Sequence, residues 1–449
     1  MAKIIDVGET IEKGPFGAFQ KSVIAWLCLL MVVEGFDMQV MAYAAPAVLK
    51  EWNVSRAAFG PVLSASLFGY MVGAFVLAAA ADRLGRKTVI LIGLAIFGAF
   101  TLAGPLATSI EGLMALRFLA GVGLGAAVPT GVALSVEYTP LRSRGVAVGL
   151  MYTTYNIGAA GGGFLAGWLI PLFGWRSTFI LGGVAPLLIG LLLIFGLTES
   201  VRFLALRGGR QSTVVAILRK LTGDASLDES TEVLVHEEVR HAASPTRLFK
   251  DGRAGMTVFL WLAIVSSFMG HHFLTNWLPT LMSDAGYPVG HAVVIGALFS
   301  LGGAVGSIVI GRAMDRRGFP IVALTFLVSC PFVALIGVAV AIEPLVAAVV
   351  FLAGFLVLGG QLGLNASSAM IYPTLLRSTG AGWALGIGRI GSIMGPIIGG
   401  VLITSGISRP ALFLVAAVPM AVCALCIVLL RQARSKVPDA PALAADTAR

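Results

Sequence analysis

Six ionisable residues stand inside long apolar stretches of this chain: Glu34, Asp37, Arg117, His271, His272 and Arg389. Charge is expensive in hydrocarbon, so a charged residue kept there marks a functional position by default. Glu34 and Asp37 are three residues apart and share one helix face. Two carboxylates that close in a low dielectric resist ionising together, so at least one can hold a proton near neutral pH, as a proton carrier must. The competing reading is a structural ion pair with Arg117 or Arg389, and of the two acids Asp37 is the favoured carrier. Arg389 stays cationic and can grip a carboxylate through two parallel hydrogen bonds. It is either the anchor for an anionic substrate or a counter-ion for the first helix. An arginine that changes partner when Asp37 takes a proton would link the two roles.

Other side chains can shape a ligand site. His271 and His272 are adjacent, project about 100° apart and so are expected to send only one ring into a cavity; His272 is the candidate, as a fixed hydrogen-bond donor or a titrating group. Gln361, Asn365, Asn276 and Asn156 can bond a ring hydroxyl or a carboxylate, or simply tie helices together. Tyr155, Phe36 and Phe273 can stack on an aromatic ring, whereas Trp277 and Trp383 read as interfacial belt residues. No nucleophile, base and orienting group stand together at a catalytic spacing, so no enzyme is expected. Cys28, Cys330, Cys423 and Cys426 all fall in apolar spans without histidine or carboxylate at metal-ligand spacing, so they read as packing, and no metal or cofactor is expected.

The elements that must position these groups follow from composition. With 57% hydrophobic and 12% charged residues in 449, the chain cannot keep a soluble surface and reads as an integral membrane protein. The net charge of +9 is dispersed over short loops, not gathered into a stripe or arm for nucleic acid. Windows of at least ~18 apolar residues predict helices near 22–49, 58–81, 88–108, 112–138, 144–171 and 177–197, then 256–281, 288–311, 320–341, 344–371, 378–405 and 409–430. Counting about 1.5 Å per residue, Glu34, Asp37, Tyr155, Asn156, His271, His272, Gln361 and Arg389 reach one layer roughly 15 to 24 Å deep, while Arg117 stands nearer the outer face. The tails and the loops after even-numbered helices hold 25 of the 31 Lys and Arg residues, which predicts cytoplasmic termini in a plasma membrane.

The halves repeat. Gly69, Gly73, Asp82 and Arg83 recur 233 residues later as Gly302, Gly306, Asp315 and Arg316, and Arg142-Ser-Arg-Gly145 recurs as Arg377-Ser-Thr-Gly380. The expected fold is all-α, with twelve transmembrane helices in two pseudo-symmetric six-helix halves, 22–197 and 256–430. They are joined by a polar linker, 198–255, carrying a short amphipathic helix near 232–241, and flanked by tails 1–21 and 431–449. In such a parallel repeat the site lies near mid-membrane between the halves.

Asp82-Arg83-Leu-Gly85-Arg86-Lys87 resembles the loop signature of the major facilitator superfamily, a standard example of this architecture. Ala78 departs from it, standing where that family has glycine. Across almost the whole chain a narrower resemblance is to aromatic acid:proton symporters. It is carried by Glu34-Gly35-Phe36-Asp37, Phe173-Gly174-Trp175-Arg176, Trp277-Leu278-Pro279, and Gln361-Leu-Gly-Leu-Asn365 through Tyr372-Pro373 to Gly388-Arg389-Ile-Gly391. Glu34 replaces the family's aspartate and keeps a carboxylate; Thr198-Glu199-Ser200-Val201 replaces its Pro-Glu-Ser-Pro.

That resemblance implies coupling roles for Glu34 and Asp37 and a cytoplasmic gate that holds the outward-open state. The gate would be built from Asp82, Arg83, Arg86, Glu137, Arg142, Asp315, Arg316 and Arg377, whose charges would lock the halves together. It further implies import of a benzoate-, hydroxybenzoate- or protocatechuate-like acid with protons, by a chain that works as a monomer. There is no GxxxxGK[ST] loop for ATP. Other small organic anions, such as nicotinate or a muconate-like acid, fit the same charges. A drug exporter is disfavoured because the Gly391–Gly400 glycine-proline run lies in helix 11 and not helix 5, and a transporter-like sensor would carry a long soluble tail.

Overall fold

The structure, a computed structural model, describes residues 4–207, 211–235, 244–373 and 376–435. Twelve helices among them are long and apolar enough to cross a membrane: α1 (Ala18–Trp52), α2 (Arg56–Val76), α3 (Arg86–Leu102), α4 (Ile110–Tyr138), α5 (Leu141–Phe173), α6 (Arg176–Gly196), α7 (Ala254–Asp284), α8 (Val289–Arg317), α9 (Pro320–Ala339), α10 (Glu343–Met370), α11 (Arg377–Thr404) and α12 (Arg409–Arg434). All backbone groups deep in lipid must bond internally, and helices do so within one segment. The end of the bundle where α1 begins and α12 ends is the terminal side; the other is the far side.

The repeat in sequence is a repeat in packing. In the first half α1 packs on α5, α2 on α4 and α3 on α6; in the second, α7 packs on α11, α8 on α10 and α9 on α12. The duplicated glycines explain one of these pairs. A Cβ on Gly69 or Gly73 would stand 2.0 Å from the carbonyl oxygens of Phe118 and Val122 in α4, and one on Gly302 or Gly306 2.0 Å from those of Phe351 and Phe355 in α10. Only glycine lets the backbones approach that closely. Ala78 opens a short 3-10 turn, Ala78–Ala80, that carries α2 into the helix Ala81–Leu84 of the loop.

The linker differs from expectation. Glu232–Leu234 is a strand, β2, paired in parallel with β1 (Ile4–Asp6), and the amphipathic helix lies earlier, at Gln211–Thr222. Val214, Val215, Ile217 and Leu218 supply its buried face at a 3.6-residue period, and residues 236–241 of the expected helix lie outside the described residues. His236 and His241 lie outside the described residues. Val201, Leu204, Val214, Leu218 and Leu227 join the core of the first half, together with Val7 and Ile11 of the amino-terminal helix Val7–Lys13. Leu248 joins the core that spans the second half and the boundary between the halves, and its carbonyl accepts from Thr257 of α7 at 2.7 Å.

Between the halves α5 packs on α8, α2 on α11 and α1 on α7. The contacts concentrate on the far side. Arg56 at the start of α2 pairs with Asp284 at the end of α7 at 2.5 Å, and Arg409, of the same half as Asp284, steadies it by donating to its carbonyl at 3.1 Å. Ser64 Oγ donates to the Ile393 carbonyl at 2.7 Å, and the Ala57 amide donates to Thr404 Oγ1 at 3.1 Å. Small residues seal the seam: a Cβ on Gly163 would meet that of Ala297 at 2.4 Å. On the terminal side the same helices carry open faces among the described residues. Gly145 and Gly149 of α5, Gly311 of α8, and Gly382 and Gly386 of α11 have no neighbour within 4 Å of a Cβ position, and Leu141 and Val146 are exposed.

Candidate substrate and proton site

Asp37 is fully buried, and its partner is Arg117 of α4, not Arg389. Arg117 Nη1 donates to Asp37 Oδ1 at 2.9 Å and Nη2 to Oδ2 at 2.8 Å, while Nη2 also reaches the Asp37 carbonyl at 3.2 Å. Thr101 Oγ1 adds a donor to Oδ1 at 3.0 Å. The depth count put Arg117 away from this layer because it tracked Cα positions and began at the start of α1. That helix runs 35 residues, well beyond the ~20 needed to span, so counting from its start misjudges depth, and a guanidinium reaches across the difference.

Arg389 instead lies over the Tyr70 ring, 4.4 Å from its centroid. Among the described residues it makes no ion pair. Glu34, 5% exposed, is the acid within electrostatic range of it, and Glu34 Oε2 has no hydrogen-bond partner. Tyr70 and Tyr155 stand in the field of both charges. An acid from α1 and an arginine from α11 thus lie within electrostatic range of each other across the boundary of the halves, and Tyr70 lies against the arginine.

A narrow cavity in the same layer is lined by Gln39, Ser66, Arg117 and Tyr155 of the first half and by His271, His272, Thr275 and Asn276 of the second. Both histidines line it. Their rings stack with centroids 4.5 Å apart, so the side chains lean together in spite of the angle between their Cα–Cβ directions. His271 also stacks on Phe299, 6.4 Å away, and lies against Gln361. His272 is within electrostatic range of Arg389. Asn276 Nδ2 is tied to the His272 carbonyl at 2.8 Å, part of its own helix. Gln361 is buried and Asn365 half-buried one turn further along α10.

Two aromatic expectations move. Phe36 is wedged into helix packing, where a Cβ on Gly162 would come 2.1 Å from its ring, so it does not line the cavity. Trp277 is fully buried and donates to the Pro396 carbonyl at 2.8 Å, bracing α7 on α11 instead of sitting in an interfacial belt. Trp383 is exposed and stacked on Trp261. Tyr70, Thr101 and Gln39 were missed. Each is a polar side chain in an apolar span, so a scan for all such groups, not only charged ones, finds them.

The charged residues of the terminal side do not join the halves among the described residues. Arg86 bonds Glu137 at 2.9 Å and Asp82 at 3.0 Å, all within the first half, and Asp82 is largely exposed. Glu137 also accepts from Ser200. Arg142 donates to the Gly14 carbonyl at 2.7 Å; Arg83, Arg316 and Arg377 are exposed. The Asp315 side chain lies outside the described residues.

The residue that organises this loop is Glu199, which the sequence offers only as part of the Thr198–Val201 stretch and without a role. Its Oε1 accepts from the Arg86 amide at 2.8 Å and the Lys87 amide at 3.1 Å, capping the positive end of α3. Gly85 is held at φ +96°, and a Cβ there would stand 2.3 Å from Glu199 Oε2. Both the backbone and the carboxylate require glycine.

The comparisons agree with this architecture. The model of the Major Facilitator Superfamily matches residues 27–373. A gallate transporter of Pseudomonas putida is 39% identical over 97% of each chain. The 4-hydroxybenzoate transporter PcaK of Acinetobacter baylyi is 39% identical over 94% of this chain and 93% of its own. Among solved structures, the xylose transporter XylE of E. coli in a partially occluded inward-open conformation superposes with a TM-score of 0.69 at 15% identity, over 91% of this chain and 97% of that one. The duplicated glycine contacts, the paired six-helix packing and the family match together place this multi-pass membrane chain in the Major Facilitator Superfamily of transporters.

Proposed function

We propose that the chain imports a small aromatic carboxylate of the benzoate, hydroxybenzoate or protocatechuate type together with protons, by alternating access across a bacterial inner membrane. Both termini are then cytoplasmic, and the structure, closed on the far side and parted on the terminal side, is the inward-facing state. The observation that carries this reading is Arg389, a half-buried cation that makes no ion pair among the described residues, within electrostatic range of the buried acid Glu34. The names of the relatives support an aromatic acid as cargo.

Charge arithmetic supplies the reason for coupling. Importing an anion against about 100 mV of inside-negative potential costs roughly 2.3 kcal/mol, and one co-transported proton cancels that charge. Arg389 holds the carboxylate by paired hydrogen bonds, with Tyr70 and Tyr155 flanking the ring. Glu34 takes the proton in this conformer, because Asp37 is already neutralised by Arg117. Asp37 joins once Arg117 is drawn away. Binding of the anion to Arg389 and protonation of Glu34 favour each other: the carboxylate removes the cation that would otherwise stabilise ionised Glu34.

The test is uptake of labelled benzoate and 4-hydroxybenzoate into vesicles carrying the purified protein under an inward proton gradient. Accumulation that collapses with a protonophore is expected. Uptake indifferent to the gradient would remove the symport reading.

A further inference from the structure

Away from the central site, a crevice of about 650 Å³ opens on the terminal side between the start of α3, the end of α6 and the linker helices Val201–Leu206 and Gln211–Thr222. Its wall is apolar, with Leu91 of α3, Leu197 after α6, and Leu204 and Ile217 of the linker. Two cations line it, Lys87 from α3 and Arg207 from the linker. Lys87 Nζ donates to the Ile194 carbonyl at 2.7 Å, which leaves two N–H groups for a ligand. Arg207 is exposed, with its guanidinium 5.1 Å from the centroid of the Phe203 ring, and makes no ion pair among the described residues. Glu199 lines the crevice too, but its Oε1 already accepts from the amides of Arg86, Lys87 and Ser200 at 2.8, 3.1 and 2.8 Å. The positive end of α3 thereby offsets the carboxylate, and Lys87 and Arg207 set the sign of the crevice. In the adjoining turns Ile92 of α3 and Leu191, Ile194 and Phe195 of α6 are exposed, Phe195 by 84%. In a membrane-spanning chain those side chains meet lipid tails.

We propose that the crevice holds the headgroup of an anionic phospholipid from the leaflet of the terminal side, with its phosphate between Lys87 and Arg207 and its acyl chains along α3 and α6. Basic pockets beside membrane spans recognise anionic headgroups through such charges. The apolar wall selects the lipid over a soluble anion, because a free phosphate would use the cations and leave the wall bare. Two like charges from separate elements repel when nothing stands between them, and a phosphate turns that repulsion into a bridge. The lipid thus ties the linker to the first half. Neither Arg389 nor Glu34 takes part, so the inference stands whatever the cargo.

Native mass spectrometry of the full-length protein, delipidated in detergent and offered phosphatidylglycerol, phosphatidylethanolamine and phosphatidylcholine with the same acyl chains, reads the preference directly. Two basic residues are expected to favour retention of phosphatidylglycerol over either zwitterionic lipid about tenfold. In Arg207→Gln that preference is expected to fall severalfold. Lys250→Gln, which removes an exposed terminal-side cation outside the crevice, is expected to leave it in place. A photoreactive phosphatidylglycerol is expected to label peptides from the start of α3 and from the linker helices, which locates the lipid without any variant. Equal retention of the three lipids, labelling elsewhere, or the same loss in Lys250→Gln as in Arg207→Gln overturns the inference. So does displacement of the lipid by millimolar inorganic phosphate, which would make the crevice a site for a free anion.

Discussion

Arg117 holds Asp37 through both terminal nitrogens, at 2.9 and 2.8 Å, with neither side chain more than 1% exposed. In a buried pair, removing one partner strands the other as an uncompensated charge, a loss of about 3 to 5 kcal/mol, whereas replacing both is far milder. Arg117→Met is therefore expected to lower the Tm of the detergent-purified protein markedly, and Asp37→Asn with Arg117→Met to recover most of the loss. A double variant no more stable than Arg117→Met alone would show that the pair is not the source of the effect.

Glu34→Gln keeps the shape of the site but cannot release a proton. Exchange of labelled for unlabelled substrate across the membrane is expected to continue, while accumulation driven by an inward proton gradient falls at least about tenfold, the scale of a lost charge under a typical potential. Gradient-driven accumulation at the unmodified level would transfer the carrier role to another group.

Arg389 separates charge from geometry. Hydrogen bonds to charged groups contribute about 1.5 to 3 kcal/mol, so Arg389→Gln is expected to weaken carboxylate binding roughly tenfold to a hundredfold. Arg389→Lys, which keeps the charge but loses the planar fork, should fall between. Equal affinities for all three proteins in a binding titration would place the anion elsewhere.

On the far side, Arg56 and Asp284 cross the boundary of the halves at a partly exposed position. Their effect is expected on conformational balance more than on folding. Arg56→Glu should raise the labelling rate of a cysteine placed at Ser64 by a maleimide that cannot cross membranes. Adding Asp284→Arg, which restores the pair with reversed charges, should lower it again. An unchanged rate in the single variant would mean that the α5–α8 seam alone keeps this side shut.

Gly85 offers a test of the loop. A side chain there meets both a left-handed backbone, φ +96°, and the Glu199 carboxylate. Gly85→Ala is expected to cost more than the 1 kcal/mol typical of a mutation. Glu199→Gln, which keeps an acceptor, should cost less. A thermal melt of each variant checks the order.

Much of this was legible from residue types alone because the physics is local. Apolar length predicts spans, and α4 and α12 begin within two residues of where hydropathy places them. Glycines recurring 233 residues apart predict the repeat of the halves, and the structure shows them packing α2 on α4 and α8 on α10. Partner choice is not local. Whether Asp37 meets Arg117 or Arg389 depends on how α1 crosses its neighbours, and neither spacing nor charge encodes that crossing. The stacking of His271 on His272 likewise overrides the helical angle through side-chain torsions. Glu199 was invisible because its function is to accept from two backbone amides of a loop more than a hundred residues earlier, and amides leave no mark in a string of side chains.

The division of the linker has a consequence for how the molecule can be taken apart. Residues up to 235 are fastened to the first half by Glu199, by the β1–β2 pairing and by the shared core, while Leu248 is already seated in the second. Severing the polypeptide between 235 and 244 leaves each fragment with its own docked piece of connector and the interfaces among the described residues intact. Two separately encoded fragments should therefore find each other in the bilayer and rebuild a working transporter.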